Sequence, residues 1–120
     1  MKFVCLVYGE ERTLQAFSPE RMVKLDADSV AYDKSLEASG HLLVAQALQP
    51  VRKSKCVRRR NGRTTVTDGP FAETKEQLLG FLYIEARDID AALEIAQGVP
   101  LAEFGTIEVR AIYDVPGRER

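Results

Sequence analysis

The chain has no tryptophan, one histidine and only two cysteines among its 120 residues. Two thiols, Cys5 and Cys56, both in strand-like segments, do not make a disulfide framework; they fit buried thiols in a reducing cytoplasm. With His41 alone and the cysteines far apart, no cluster has zinc spacing, and no recognisable loop serves magnesium. Neither a metal nor a cofactor is expected. No apolar run approaches the roughly 20 residues of a membrane span, so no membrane partner is expected. Met1-Lys2-Phe3 opens directly into a strand pattern without a signal peptide, which predicts a cytoplasmic location. A dominant charge sign is missing too. Seventeen Lys and Arg against 18 Asp and Glu give a formal charge of −1, with no general pull toward nucleic acid or anionic lipid.

What is present is a globular composition, 45% hydrophobic and 29% charged, at a length that predicts one domain over 1–115 and a flexible charged tail over 116–120. Phe3–Tyr8 is apolar on both alternating faces, which predicts a central strand covered on each side. Gly9 to Arg12 is expected to turn out to solvent. Ser18-Pro19-Glu20 is a strong helix start, with Ser18 as cap, proline at the first helical position and an acid at the positive end of the dipole. Met22, Leu25, Ser29, Tyr32 and Leu36 form the stripe of that helix, and Gly40 ends it. Leu42–Leu48 reads as a strand closed by Pro50. Residues 54–67 read as a hairpin around Asn61-Gly62, with Val57 facing Val66. Phe81–Ala86 is again apolar on both faces apart from Glu85. Asp88 caps a second helix to about Gln97, with Ile89, Ala92, Leu93 and Ala96 as its buried side, and Thr106–Tyr113 is the last strand.

That order, with the hairpin set aside, is βαββαβ, the ferredoxin-like pattern with an inserted β-hairpin, an α+β fold. Right-handed crossovers put both helices on one face of the sheet. The other face keeps apolar side chains from two central strands, so a second copy packed sheet to sheet is expected, a homodimer.

Thr67 to Leu78 (TDGPFAETKEQL), the opening Leu6 to Glu10, Leu48-Gln49-Pro50, Glu85 to Asp88 and Gly105 to Arg110 together resemble the DGPF branch of the YCII-related proteins over nearly the whole chain. The resemblance implies a dimeric α+β barrel of ferredoxin-like subunits with a cleft beside the sheet. It also implies association with a sigma-factor system, and it brings no enzymatic activity. The YCII branch is described with a His–Asp pair proposed as catalytic; the first long helix here has no histidine, so that pair does not transfer.

The candidate site residues each have two readings. Asp68 either anchors the Asp-Gly-Pro turn through a backbone N–H or also contacts a ligand or proton donor. Phe71 either anchors the turn in the core or lines a pocket. Glu73 and Glu76 share a face of a short helical turn, as solvated carboxylates or an acid–base pair. His41 either caps the first helix or acts as a general base with Asp68 on a small substrate. Tyr83, Glu108 and Arg110 lie on inner strands, where an Arg–carboxylate pair serves an interface or clamps an anion. The leading expectation is a small polar or anionic metabolite bound in a cleft at the dimer sheet by Phe71, Tyr83 and Arg110. The alternatives are Asp68–His41 acid–base chemistry and a protein-interaction module working with a transcription regulator. Seven of the 17 basic residues fall within 52–63. Alternation splits them between faces and no aromatic interleaves them, so they read as a charged edge that discourages aggregation, and no nucleic acid is expected.

Overall fold

Two strands that must be covered on both edges set the architecture. The computed structural model describes residues 1–69 and 74–118. β1 (Lys2–Gly9) lies between β5 (Gln77–Glu85) and β6 (Gly105–Ala111), antiparallel to both, and β2 (Leu42–Ala47) joins the far edge of β5. The sheet order is β2-β5-β1-β6, so the two strands apolar on both faces occupy the centre. β3 (Lys55–Arg60) and β4 (Arg63–Asp68) pair only with each other in a second, two-stranded sheet. At its tip Asn61 (φ 52°) and Gly62 (φ 74°) both take the left-handed conformation that a tight hairpin turn needs.

α2 (Pro19–Ala38) begins where the residues say it should: the Ser18 side chain accepts a hydrogen bond from Arg21 N at 3.2 Å, and Pro19 opens the helix. Leu25 and Leu36 are buried, with Met22, Ser29 and Tyr32 half-buried along the same stripe. α3 (Ile89–Gln97) is capped by Asp88, whose Oδ1 accepts from Ala91 N at 2.9 Å. Both long helices lie over the face of the sheet formed by Phe3, Cys5, Val7, Leu82 and Ile84, and these close one core with Leu36, Ala92, Ile95, Ala96 and Val99. Tyr32 ties the helices together: its hydroxyl donates to the Ile95 carbonyl at 2.6 Å. At the outer end of α2, Phe17 and Phe104 meet edge to face at 5.0 Å, and the Arg21 guanidinium lies 4.0 Å above the Phe17 ring.

Three sequence expectations are corrected. The fold is a mixed α/β arrangement with two open sheets and no closed dimeric α+β barrel. The barrel came from the resemblance, and closure needs edge strands free to continue a ladder. Here β2 carries a register shift between Leu42 and Val44 and runs on toward Pro50, and the hairpin forms its own sheet; both features stop a ladder from spreading. Glu11–Gln15 is a short helix, α1, where a solvent turn was expected. On α3 the buried positions are Ala92, Ile95 and Ala96, whereas Ile89 and Leu93 are exposed at 44% and 43%. Among the described residues no helix is long and apolar enough to cross a membrane.

Cys5 is fully buried, and desolvation pushes its thiol from 9.0 to about 11. Cys56 is half-buried on the hairpin. Alkylation of the native protein at about pH 8 is therefore expected to modify Cys56 and spare Cys5 until the chain unfolds. Equal native rates at the two thiols, read by mass spectrometry, would contradict this packing.

Candidate functional site

Small residues make a hollow beneath α2. On the helix-facing side of the sheet, Ala45 lies opposite Leu82 and Ala47 opposite Gly80. No larger residue fits at Gly80: a β-carbon there would lie 2.6 Å from the Gln46 carbonyl oxygen. With Ala45, Ala47 and Gly80 below and Ser29 above, nothing fills the space between α2 and the β2–β5 half of the sheet. The result is a cleft of about 440 Å³, lined in addition by α1 and by Val99–Leu101. α1 is held there by Glu11, whose Oε2 accepts from Val51 N at 3.2 Å.

The walls are mostly apolar: Val7, Leu14, Met22, Leu25, Leu79 and Leu82 contribute, and Leu25 lies outside the main core cluster because it faces this space. The ionisable groups lining it are Glu11, Asp26 and Asp33, all carboxylates. Asp26, Ser29 and Asp33 fall at spacings of three and four, so they form one polar line beside the apolar stripe of α2. Partial burial raises the Asp33 carboxyl above the usual range of an aspartate. An apolar hollow edged by acids favours an uncharged or cationic guest and disfavours an anion. These residues were missed in the sequence because acids on a surface helix ordinarily read as its solvated face. The usable signal was that Asp26 and Asp33 each directly follow a stripe residue, Leu25 and Tyr32.

A second hollow of about 550 Å³ lies between the base of the hairpin and the opposite side of the sheet, with Tyr8, Leu48, Lys53 and Glu76 among its walls. Two of its polar residues are bonded to protein: Thr106 Oγ1 donates to Glu76 Oε1 at 2.9 Å, and Thr74 Oγ1 to the Glu76 carbonyl at 2.8 Å. Glu76 therefore supports β6.

The candidates named from sequence do not converge. His41 Nδ1 lies 2.9 Å from the Glu85 carbonyl, so this nitrogen carries the proton, and the His41 N–H closes α2 on the Leu36 carbonyl at 2.8 Å. Asp68 lies at the base of the hairpin, exposed, in a 2.6 Å ion pair with Lys55. The hairpin base follows the Leu48 end of β2, where Leu48 N bonds the Leu79 carbonyl, whereas His41 stands at the other end beside Glu85. β2 has six residues, about 20 Å of strand, and that length separates the two groups. Phe71 and Glu73 fall within 70–73, outside the described residues.

Tyr83 and Arg110 share the uncovered face. Tyr83 is opposite Val4 on one side and Val44 on the other, and Val4 is opposite Arg110. The row across the sheet is thus Val44, Tyr83, Val4, Arg110, with β1 between the two polar members, about 10 Å apart by strand spacing. The next row is Gln46, Phe81, Leu6, Glu108. Arg110 Nε donates to Glu108 Oε2 at 2.8 Å and Nη2 reaches the same oxygen, which raises the guanidinium pKa further. Among the described residues no group of three or more His, Cys, Asp or Glu is placed to hold a metal ion.

The sequence profile of the YCII-related domain matches residues 1–116. An uncharacterized protein of Rhizobium meliloti is 36% identical over 114 residues, covering 93% of this chain and 92% of that protein.

An exposed pair such as Lys55–Asp68 is worth at most about 1 kcal/mol. Asp68→Asn is expected to shift the urea midpoint by less than the equivalent of about 0.5 kcal/mol. A loss above about 2 kcal/mol would show that Asp68 anchors more than this ion pair.

Proposed function

The chain belongs to the YCII-related domain family, and from that premise we propose that it binds a small molecule in the cleft between α2 and the β2–β5 half of the sheet. The observation that carries this reading is the cleft itself, about 440 Å³, mostly apolar in its walls, with carboxylates as the ionisable groups among its lining residues. That volume suits a metabolite-sized guest. Its chemistry favours an apolar body with a neutral or cationic head, which departs from the anionic ligand expected beside Arg110. Arg110 is engaged by Glu108, and Tyr83 and Arg110 stand on the face of the sheet opposite the cleft. Acid–base chemistry by Asp68 with His41 lacks support, since the two stand at opposite ends of β2.

A homodimer is the second reading, favoured by the uncovered apolar rows through Val4, Leu6, Phe81 and Tyr83. In it two open sheets meet without joining into one ladder. The finer DGPF assignment rests on the Thr67–Leu78 segment, and association with a sigma-factor system rests on that likeness alone. Two free cysteines support a reducing, cytoplasmic setting.

Native mass spectrometry and thermal-shift screening against matched amines, alcohols and carboxylates of similar apolar body test the cleft. Amines or neutral compounds should bind, and Ser29→Leu, which fills the space, should abolish binding while leaving the circular dichroism unchanged. Preference for the carboxylates, or binding unaffected by Ser29→Leu, would sink the reading.

The raised Asp33 carboxyl gives a pH test. A carboxyl whose folded pKa exceeds its unfolded value destabilises the fold above the folded pKa, and that penalty vanishes below the unfolded value. Asp33→Asn should therefore be the more stable protein at neutral pH, with its advantage shrinking as pH falls through the carboxylate range. An advantage that grows on acidification would contradict the burial of Asp33.

A further inference from the structure

The hairpin is the part of the chain that the fold does not explain. Every residue of β4 is exposed, as is every residue of β3 except Cys56. A lone two-stranded ribbon is marginal in water, and this one holds Val57 and Val66 side by side at 68% and 63% exposure. The register sorts its faces. One carries the Val57–Val66 pair with Arg59 opposite Thr64 and Lys55 opposite Asp68; the other carries Arg58, Arg60 and Arg63. Lys55 is neutralised by Asp68, so Arg59 is the cation on the valine face that is left to set the polarity of a contact.

A surface of matching chemistry exists on the same chain. On α3, Ile89 and Leu93 stand one turn apart and exposed, and Asp90 and Glu94 run beside them as a parallel exposed line. Arg87, whose Nε lies 3.0 Å from Asp88 Oδ2, is also within electrostatic reach of Asp90 and Glu94, so a single cation faces these three carboxylates and the line keeps a net negative charge. Within one chain both patches face solvent at once, so their meeting requires two chains. The charge distribution points the same way. The hairpin over 55–68 has five basic residues and one acid, whereas the rest of the chain has twelve basic and seventeen acidic residues.

We propose that the hairpin of one copy seats its Val57–Val66 face on the Ile89–Leu93 stripe of α3 in a second copy, with Arg59 set against Asp90 and Glu94. Under two-fold symmetry the contact forms twice, which doubles a patch too small to hold two chains alone. A phosphate backbone would use the arginines and leave the valine pair without a role, so a second copy suits the ribbon better than nucleic acid. This contact is independent of the uncovered sheet face and of the cleft.

Disulfide trapping between full-length chains tests it. Val66→Cys and Leu93→Cys, each in a Cys56→Ser background and distinguished by mass, are mixed and gently oxidised. The mixed disulfide should form about tenfold faster than between Val66→Cys and Val23→Cys, although the α2 site is the more open of the two, 68% against 43%. Arg59→Glu should slow trapping, and Asp90→Lys with Glu94→Lys on the other chain should restore it. Equal rates at the α2 and α3 positions, or no response to the charge exchange, overturn the proposal. A separate measurement needs no variant: hydrogen exchange of the wild-type hairpin and α3 should slow together as concentration rises, and concentration-independent exchange also overturns it. Retention of duplex DNA with affinity falling steeply in salt, lost in Arg58→Glu/Arg60→Glu/Arg63→Glu, would replace the second copy with nucleic acid.

Discussion

β1 must be hydrogen-bonded along both edges and covered on the face that holds Phe3, Cys5 and Val7, and the rest of the molecule follows from meeting those demands together. β5 and β6 supply the edges. α2 and α3 supply the cover, pinned to each other by the Tyr32 hydroxyl on the Ile95 carbonyl. Strand approach is close enough that Gly105 admits no side chain, since a β-carbon there would sit 2.0 Å from the Tyr8 carbonyl oxygen. Two helices are sufficient for one face of four strands and no more. The uncovered rows on the opposite face are the direct result.

The cleft has the same origin. Beneath Leu36 and Tyr32 the helix layer and the sheet are in contact and the core closes; beneath Ser29 the facing residues are Ala45, Ala47 and Gly80, and it does not. A cavity edge is where a carboxylate stays wet enough to remain in place yet dry enough for its titration to move, and Asp33 occupies that edge. The near-zero formal charge of the whole chain conceals a strong separation, with acids along α2 and α3 and bases in the hairpin.

Much of the scaffold was legible because it rests on local rules. Ser18-Pro19 and Asp88 announce their helices, Asn61-Gly62 its turn, and two runs apolar on both faces announce the central strands. The errors lie where a local pattern meets a tertiary decision. On α3, Ile89 and Leu93 carry apolar side chains at helical spacing, yet the core selects Ala92, Ile95 and Ala96, because small residues let the helix approach the sheet. The barrel was imported with a family likeness, and nothing in the residues of β2 or the hairpin requires closure. The cleft was illegible because a hollow is made by what two distant segments both lack, and Ser29, Ala45 and Gly80 are unremarkable one at a time. His41 and Asp68 attracted attention as chemical types, while their separation depends on strand direction.

The pairing of β1 with β6 joins the first strand of the chain to its last. Phe3 is opposite Ala111 and Gly9 opposite Gly105, so ladder contacts span nearly the entire chain. During synthesis β1 emerges before either partner; its β5 edge can pair once Glu85 is out, whereas its β6 edge stays open until Gly105–Ala111 has followed. The sheet cannot be completed during synthesis by any shorter intermediate. The long closure is that of β1 with β5, across roughly seventy residues, and it is a slow step during which the apolar edge of β1 is open to misassembly with neighbouring nascent chains.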